Sequence, residues 1–76
     1  MAAAVRSYVV QDAGPRTGPG ETQIEYPYTL RGIEKALTDA AFRSISGPPQ
    51  VIKVVSGDQS RVIRRYEHGR EVSVAS

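Results

Sequence analysis

The fold of this chain is decided by residues 50–74, which read QVIKVVSGDQSRVIRRYEHGREVSV. β-Branched and aromatic residues dominate Gln50 to Val55 and recur from Arg61 to Glu67, a composition typical of strands. The intervening residues 56–59 (SGDQ) are typical of a turn, so we predict a β-hairpin. Gly69 suits a second chain reversal, which would lead into a further strand from Glu71 to Val74.

A single helix is predicted before this hairpin, beginning after Thr29. Thr29 is a good N-cap residue, and apolar residues recur behind it at helical spacing. We expect this apolar stripe to face the sheet; its members are Leu30, Ile33, Leu37, Ala40 and Ala41.

The sequence also predicts where the helix ends and how its outer surface is arranged. We expect it to end by Ile45, with Gly47 as a left-handed cap ahead of two prolines. Spacing of four residues predicts ion pairs from Lys35 to Asp39 and from Asp39 to Arg43. Phe42 lies outside the apolar stripe, and we expect it to pack beneath the preceding loop, the alternative being exposure for a partner.

The N-terminal part of the chain combines a first strand with a long connection. Val5 to Val10 has strand-like composition, whereas five of the ten residues from Asp12 to Glu21 are glycine or proline. We predict a flexible loop at about 11–28 and expect nanosecond mobility from Ala13 to about Thr22. Within that loop, Ile24 and Tyr26 have the spacing of a short edge strand.

These elements predict a single α+β domain spanning residues 1–76. One helix would pack on a three- to four-stranded, mostly antiparallel sheet, in the order β-(long loop)-α-β-β-(β). A chain of 76 residues buries only about 60% of its unfolded surface, and one helix covers one sheet face. We therefore expect apolar residues on the other face to need cover from a second copy of the sheet, the alternative being the long loop folding back through Ile24 and Tyr26. These apolar residues are Val51, Val55, Val62 or Ile63, and Val72 or Val74.

Composition restricts the class of protein. The sequence has no cysteine, which excludes disulfides and thiolate metal sites and is compatible with a reducing compartment. Its apolar runs fall far short of the roughly 20 residues of a membrane span, and its first residues do not resemble a secretion signal. We expect a cytoplasmic protein without membrane contact.

The positive charge is concentrated in the hairpin region. Residues 50–76 carry five basic and three acidic side chains, which accounts for the whole net charge of +2. Strict alternation would place Arg61, Ile63 and Arg65 on one side of their strand and Val62, Arg64 and Tyr66 on the other. We predict a candidate binding surface, against the alternative that these cations pair with nearby carboxylates; it comprises Lys53, Arg61, Arg64, Arg65, Tyr66 and Arg70.

Catalytic motifs are lacking in the sequence. Gly20 is followed by Glu21 rather than by the lysine and hydroxyl residue of a phosphate-binding loop. His68 is the only histidine, and its position beside Gly69 predicts an exposed turn residue rather than a catalytic base. We therefore expect no enzyme, cofactor, metal or small-molecule ligand.

The function expected from the sequence is that of a small non-catalytic interaction module. It would bind a protein partner, or form a homodimer, through its sheet. The alternative is a nucleic-acid-binding accessory protein that uses the arginine-rich hairpin at residues 61–70.

Overall fold

The computed structural model describes residues 6–13 and 23–74. These residues form β1 (Arg6–Asp12), β2 (Gln23–Pro27), α1 (Leu30–Ser46), β3 (Gln50–Ser56), β4 (Gln59–Glu67) and β5 (Arg70–Val72). The sequence predicts mobility from Ala13 to about Thr22, and residues 14–22 of that segment lie outside the described part of the chain. None of the described helical residues forms a stretch both long and apolar enough to cross a membrane.

The strands form one antiparallel sheet in the order β2-β1-β3-β4-β5. The predicted α+β class with one helix on an antiparallel sheet is confirmed, but the described residues contain five strands rather than three or four. The additional strand is β2, which lies inside the range predicted as loop, as does the end of β1. Tyr8 pairs with Tyr26 and Val10 with Ile24, so the short apolar alternation in β2 is completed by its neighbour.

The hydrophobic core lies between α1 and one face of the sheet. Val10 and Ile52, from adjacent central strands, are almost completely buried beneath the helix, and Tyr66 extends the core toward β4. Tyr8, Tyr26 and Ile63 pack around this centre. All five strands contact the helix, so α1 packs across one face of the sheet.

The helix is rotated from the orientation that its large apolar residues predict. Small residues at intervals of four face the sheet and are buried: Gly32, Ala36, Ala40 and Ser44. Ile33, Leu37 and Ala41 are only partly buried, while Leu30 is 85% exposed. Small side chains allow the helix axis to approach the sheet closely, and the larger residues then pack along its flank.

The helix begins with the predicted cap but ends differently from the prediction. The Thr29 hydroxyl accepts the backbone N–H of Gly32 at 2.9 Å, which confirms the predicted N-cap. The helix continues to Ser46, and Gly47 has an extended backbone (φ −129°) rather than the predicted left-handed cap. Pro48 explains this difference, because the residue before a proline is displaced toward extended conformations.

Asp39 is the centre of a polar group on the β2 side of the helix. Its Oδ1 accepts from Arg43 Nε at 2.9 Å, as the spacing predicts, and its Oδ2 accepts from the Tyr26 hydroxyl at 2.9 Å. Among the described residues Asp39 forms no ion pair with Lys35, so that predicted pair is wrong. The second carboxylate oxygen of Asp39 is bound by the Tyr26 hydroxyl instead of by Lys35.

Two-residue turns close both C-terminal hairpins. Gly57 and Asp58 connect β3 to β4, confirming the predicted hairpin. His68 and Gly69 connect β4 to β5 with positive φ values of 55° and 80°, the backbone geometry that matches strand twist. His68 is exposed in this turn, as predicted.

Candidate functional site

A β-bulge divides the basic residues of the hairpin between the two faces of the sheet. Arg64 lies opposite Ile52, whereas Val62 lies opposite Lys53, so Ile63 is an extra residue in β4. An extra residue inverts the alternation on one side of the bulge. Arg61, opposite Val54, therefore shares the helix-covered face with Arg64 and does not share the face of Arg65.

Three of the six predicted site residues lie on the helix side of the sheet. Arg61 is exposed. Arg64 is half exposed and its Nε lies 3.6 Å from Glu71 Oε2. Tyr66 is only 8% exposed and belongs to the core; burial raises the pKa of its hydroxyl, with the charge of Glu71 as the next cause. Tyr66 thus contributes packing rather than accessible surface.

The other three residues, Lys53, Arg65 and Arg70, lie on the face away from the helix. Arg65 is neutralised by Glu67, whose Oε2 lies 2.8 Å from Arg65 Nε. Lys53 and Arg70 have no ion pair with any carboxylate that the structure describes. The structure therefore does not assemble the six residues into one patch.

The face away from the helix has no second layer within residues 6–13 and 23–74. Its central valines are nonetheless well buried, since Val9 is 5% and Val51 is 7% exposed. Long polar side chains lie opposite them in the neighbouring strands, including Lys53 beside Val9 and Arg65 beside Val51, and their aliphatic stems cover apolar neighbours. Val55, Val62 and Val72 are partly buried on this face.

A groove of about 850 Å³ opens on the helix side, over the end of the β3–β4 hairpin. Two arginines stand at its rim, Arg6 from β1 and Arg61 from β4, and neither forms an ion pair with a described carboxylate. No acidic residue is among the side chains that line it, which are Arg6, Tyr28, Val54, Ser56, Gln59, Ser60, Arg61 and Ile63.

Aromatic stacking holds one wall of this groove. The rings of Tyr8 and Tyr28 stack with centroids 4.9 Å apart, and the Arg6 guanidinium carbon lies 5.6 Å from the Tyr28 centroid. Tyr28 precedes the helix, while Tyr8 and Arg6 belong to β1. The stack therefore orients Arg6 toward the hairpin and leaves Tyr28 nearly half exposed.

One edge of the sheet is incomplete beside this groove. β5 pairs only with Arg65, Tyr66 and Glu67 of β4. Residues 59–64 of β4 accordingly have a strand neighbour on one side only, within the part of the chain that the structure describes. In a strand every second residue points its backbone N–H and C=O to the same side, so this stretch offers hydrogen-bonding groups without a strand partner, although the Ile63 carbonyl accepts from Arg64 Nη1 at 3.3 Å.

Large apolar side chains are exposed on the outer surface of the helix. Phe42 is 73% and Ile45 is 62% exposed. The expected packing of Phe42 beneath the loop is therefore wrong, because its position on α1 points away from the sheet. Ile45 borders the β4–β5 turn, where a Cβ on Gly69 would lie 2.9 Å from Ile45 Cγ1.

The described residues contain no group of three or more His, Cys, Asp or Glu side chains arranged to hold a metal ion. Sequence reasoning missed Arg6 and Tyr28, which are separated from the hairpin along the chain. The aromatic residues at positions 8, 26 and 28 were the available signal, but only the pairing of β1 with β3 and of β3 with β4 brings Arg6 and Tyr28 into the groove that Arg61 also lines.

The chain matches no protein-family model, and neither the curated proteins nor the solved structures gave a match.

Proposed function

We propose that this protein is a non-catalytic interaction module that binds an extended segment of a partner protein along the open edge of β4. The observation that carries the proposal is the unequal length of the last two strands. β4 has nine residues, but β5 has three and pairs with only the last three residues of β4.

Strand addition suits this geometry because the sheet itself supplies the binding groups. A partner strand that continues the line of β5 would satisfy the outward backbone groups of residues 59–64. Its side chains would alternate between the two faces of the sheet. On the helix side they would enter the groove lined by Val54, Arg61 and Ile63.

The charges along the edge favour a heterologous partner over a second copy of the same edge. Arg61 and Arg64 lie in the open stretch, so a two-fold pairing of β4 with itself would bring arginines together. Like charges across neighbouring strands are destabilising. Charged residues and a bulge also protect a sheet edge against unselective pairing. A partner strand that carries negative charge is therefore the one that suits this edge.

A second candidate function is binding of single-stranded nucleic acid in the same groove. The observation that favours it is the convergence of Arg6, Arg61 and the exposed ring of Tyr28 without a lining carboxylate. Cations and aromatic rings bind single strands by neutralising phosphates and stacking on bases. The arginine-rich hairpin would contribute only in part, since Arg64 and Arg65 already lie beside carboxylates.

Peptide selection followed by NMR tests strand addition. Random peptides displayed on phage would be selected on the intact chain, and a selected peptide would be titrated against the ¹⁵N-labelled protein. We expect amide shifts concentrated in residues 59–64, with the β2 edge as an internal control. Shifts confined to β2 or to the outer surface of the helix would rule out the β4 edge as the site.

The nucleic-acid alternative is tested by the salt dependence of oligothymidylate binding. Phosphate contacts release counterions, so replacing one contacting arginine should lower the slope of log affinity against log salt by about one. Arg61→Gln is the variant, and Lys35→Gln on the outer helix surface is the matched control. Absence of oligothymidylate binding at low salt removes this alternative.

A further inference from the structure

The two faces beside the open edge of β4 differ in chemistry, and this difference specifies the partner segment. On the helix side, the open stretch presents the cations Arg61 and Arg64, together with Gln59 at its start and Ile63, which is partly buried against the core. On the opposite side, it presents Ser60 and Val62, as the bulge and the register with β3 require. A strand added at this edge therefore meets cations on one face and small or apolar side chains on the other.

The helix side requires negative charge from the occupant. Arg6 and Arg61 stand at the groove without an ion pair to any carboxylate in the described ranges. Arg64 is only loosely compensated, with 3.6 Å between its Nε and Glu71 Oε2. Opposite charges on directly neighbouring strands stabilise the pair, so carboxylates at alternate positions of the added strand complete this face.

The opposite side requires apolar or β-branched residues from the occupant. Val62 is partly buried, and Val72 at the end of β5 is also partly buried on this face. Val62 pairs with Lys53 of β3, which in turn pairs with Val9 of β1, and a β-branched side chain beside Val62 would pack against Val62 and the aliphatic stem of Lys53. A charged residue at that position would lose this contact.

From this asymmetry we infer that the edge of β4 binds an extended segment in which acidic and β-branched apolar residues alternate. The carboxylates lie on the helix side against Arg61 and Arg64 of the neighbouring strand, and the apolar residues lie beside Val62. The inference rests on the proposed strand addition and adds to it the chemistry and the period of the partner.

Three synthetic peptides of about six residues, a usual strand length, test the pattern by NMR titration. The first alternates glutamate and valine, the second alternates lysine and valine, and the third contains the residues of the first in two blocks. We expect the first to shift the amides of residues 59–64 and to bind about tenfold more tightly than either other peptide.

Charge variants connect this preference to the groove. Arg61→Gln should weaken binding of the glutamate–valine peptide by about two- to fivefold, as expected for an exposed ion pair. Lys35→Gln removes the same charge from the outer helix surface and should leave the affinity unchanged. Equal losses in both variants would indicate general electrostatic attraction and would contradict a role for Arg61.

The outcomes separate this inference from the proposed function. Equal edge binding by the lysine peptide or by the block peptide overturns the inferred pattern but leaves strand addition intact. If display-selected peptides bind the edge and the glutamate–valine peptide does not, the inferred pattern is again overturned and strand addition is again left intact. If no peptide binds residues 59–64, both proposals fail.

Two other occupants are also tested. Oligothymidylate that displaces the glutamate–valine peptide and binds more tightly assigns the groove to nucleic acid and overturns the inference. A concentration-dependent increase in sedimentation coefficient without peptide, with protection of residues 59–64, assigns the edge to a second copy and overturns it as well.

Discussion

The backbone N–H of Gly69 donates a 2.8 Å hydrogen bond to the side-chain oxygen of Ser44, 25 residues earlier in the chain. Ser44 is buried on the sheet-facing side of α1, and its hydroxyl donates in turn to the carbonyl of Ala41 at 2.9 Å. This contact attaches the β4–β5 turn to the end of the helix. It therefore fixes the turn from which β5 begins its pairing with the last three residues of β4.

Ser44→Ala should destabilise the fold by about 0.5–1.5 kcal/mol, because it removes the acceptor of the part-buried hydrogen bond from the Gly69 N–H. Urea denaturation monitored by circular dichroism measures the change. Ser46→Ala, on the exposed last residue of the helix, is the control and should change stability by less than about 0.5 kcal/mol. Similar midpoints for the two variants would show that the Ser44 contact contributes little.

Gly32→Ala should lower the stability of the protein, whereas a substitution to alanine at an exposed position of the same helix should not. A Cβ at Gly32 would come into direct conflict with the Pro27 carbonyl oxygen, which is backbone and has little freedom to move. Overpacking of this kind costs about 1–3 kcal/mol. Glu34→Ala, two residues later and exposed, should be nearly neutral, and a stabilised Gly32→Ala protein would contradict the close approach.

Ala40→Leu should destabilise the protein more than Leu37→Ala. Ala40 is completely buried against the sheet, so a larger side chain must displace the helix, at a cost of about 1–3 kcal/mol or more. Leu37 lies on the partly buried flank, and its truncation should cost about 1–2 kcal/mol because only part of its surface leaves contact. A lower denaturation midpoint for Leu37→Ala than for Ala40→Leu would instead support the helix orientation predicted from the apolar stripe.

Tyr26 should make stability depend on alkaline pH. Burial raises the pKa of its hydroxyl above the ordinary value of 10.0, and the hydrogen bond to Asp39 raises it further. The folded state thus favours the protonated phenol, and this contribution is complete below about pH 10 and is lost as pH rises through the folded-state pKa. Tyr26→Phe should reduce the loss of stability above pH 10.

Denaturation midpoints of the wild type and Tyr26→Phe between neutral pH and about pH 11 check this prediction. Part of the alkaline loss should persist in the variant, because the pKa of Tyr66 is also raised by burial and by Glu71. Parallel pH profiles for the two proteins would contradict the role of Tyr26.

Local chemistry in the sequence was sufficient to predict the helix and the two C-terminal hairpins. Thr29 caps the helix, residues 57–58 and 68–69 form the hairpin turns, and the prolines at 48 and 49 separate α1 from β3. These features depend on backbone preferences within a few residues, which the sequence expresses directly. The weaker alternation in β2 was visible only as a possible edge strand, because its stability comes from pairing with β1.

Tertiary structure alone decided which side chains meet. The orientation of α1 follows from how closely Gly32 and Ala40 approach the sheet, and hydrophobicity along the helix favoured a different face. The bulge at Ile63 arises from pairing with β3, and since side chains in a strand alternate with a period of two, one extra residue moves Arg61 to the helix side. That single shift places Arg61 at the same groove as Arg6, and no local pattern in the sequence encodes this arrangement of two distant segments.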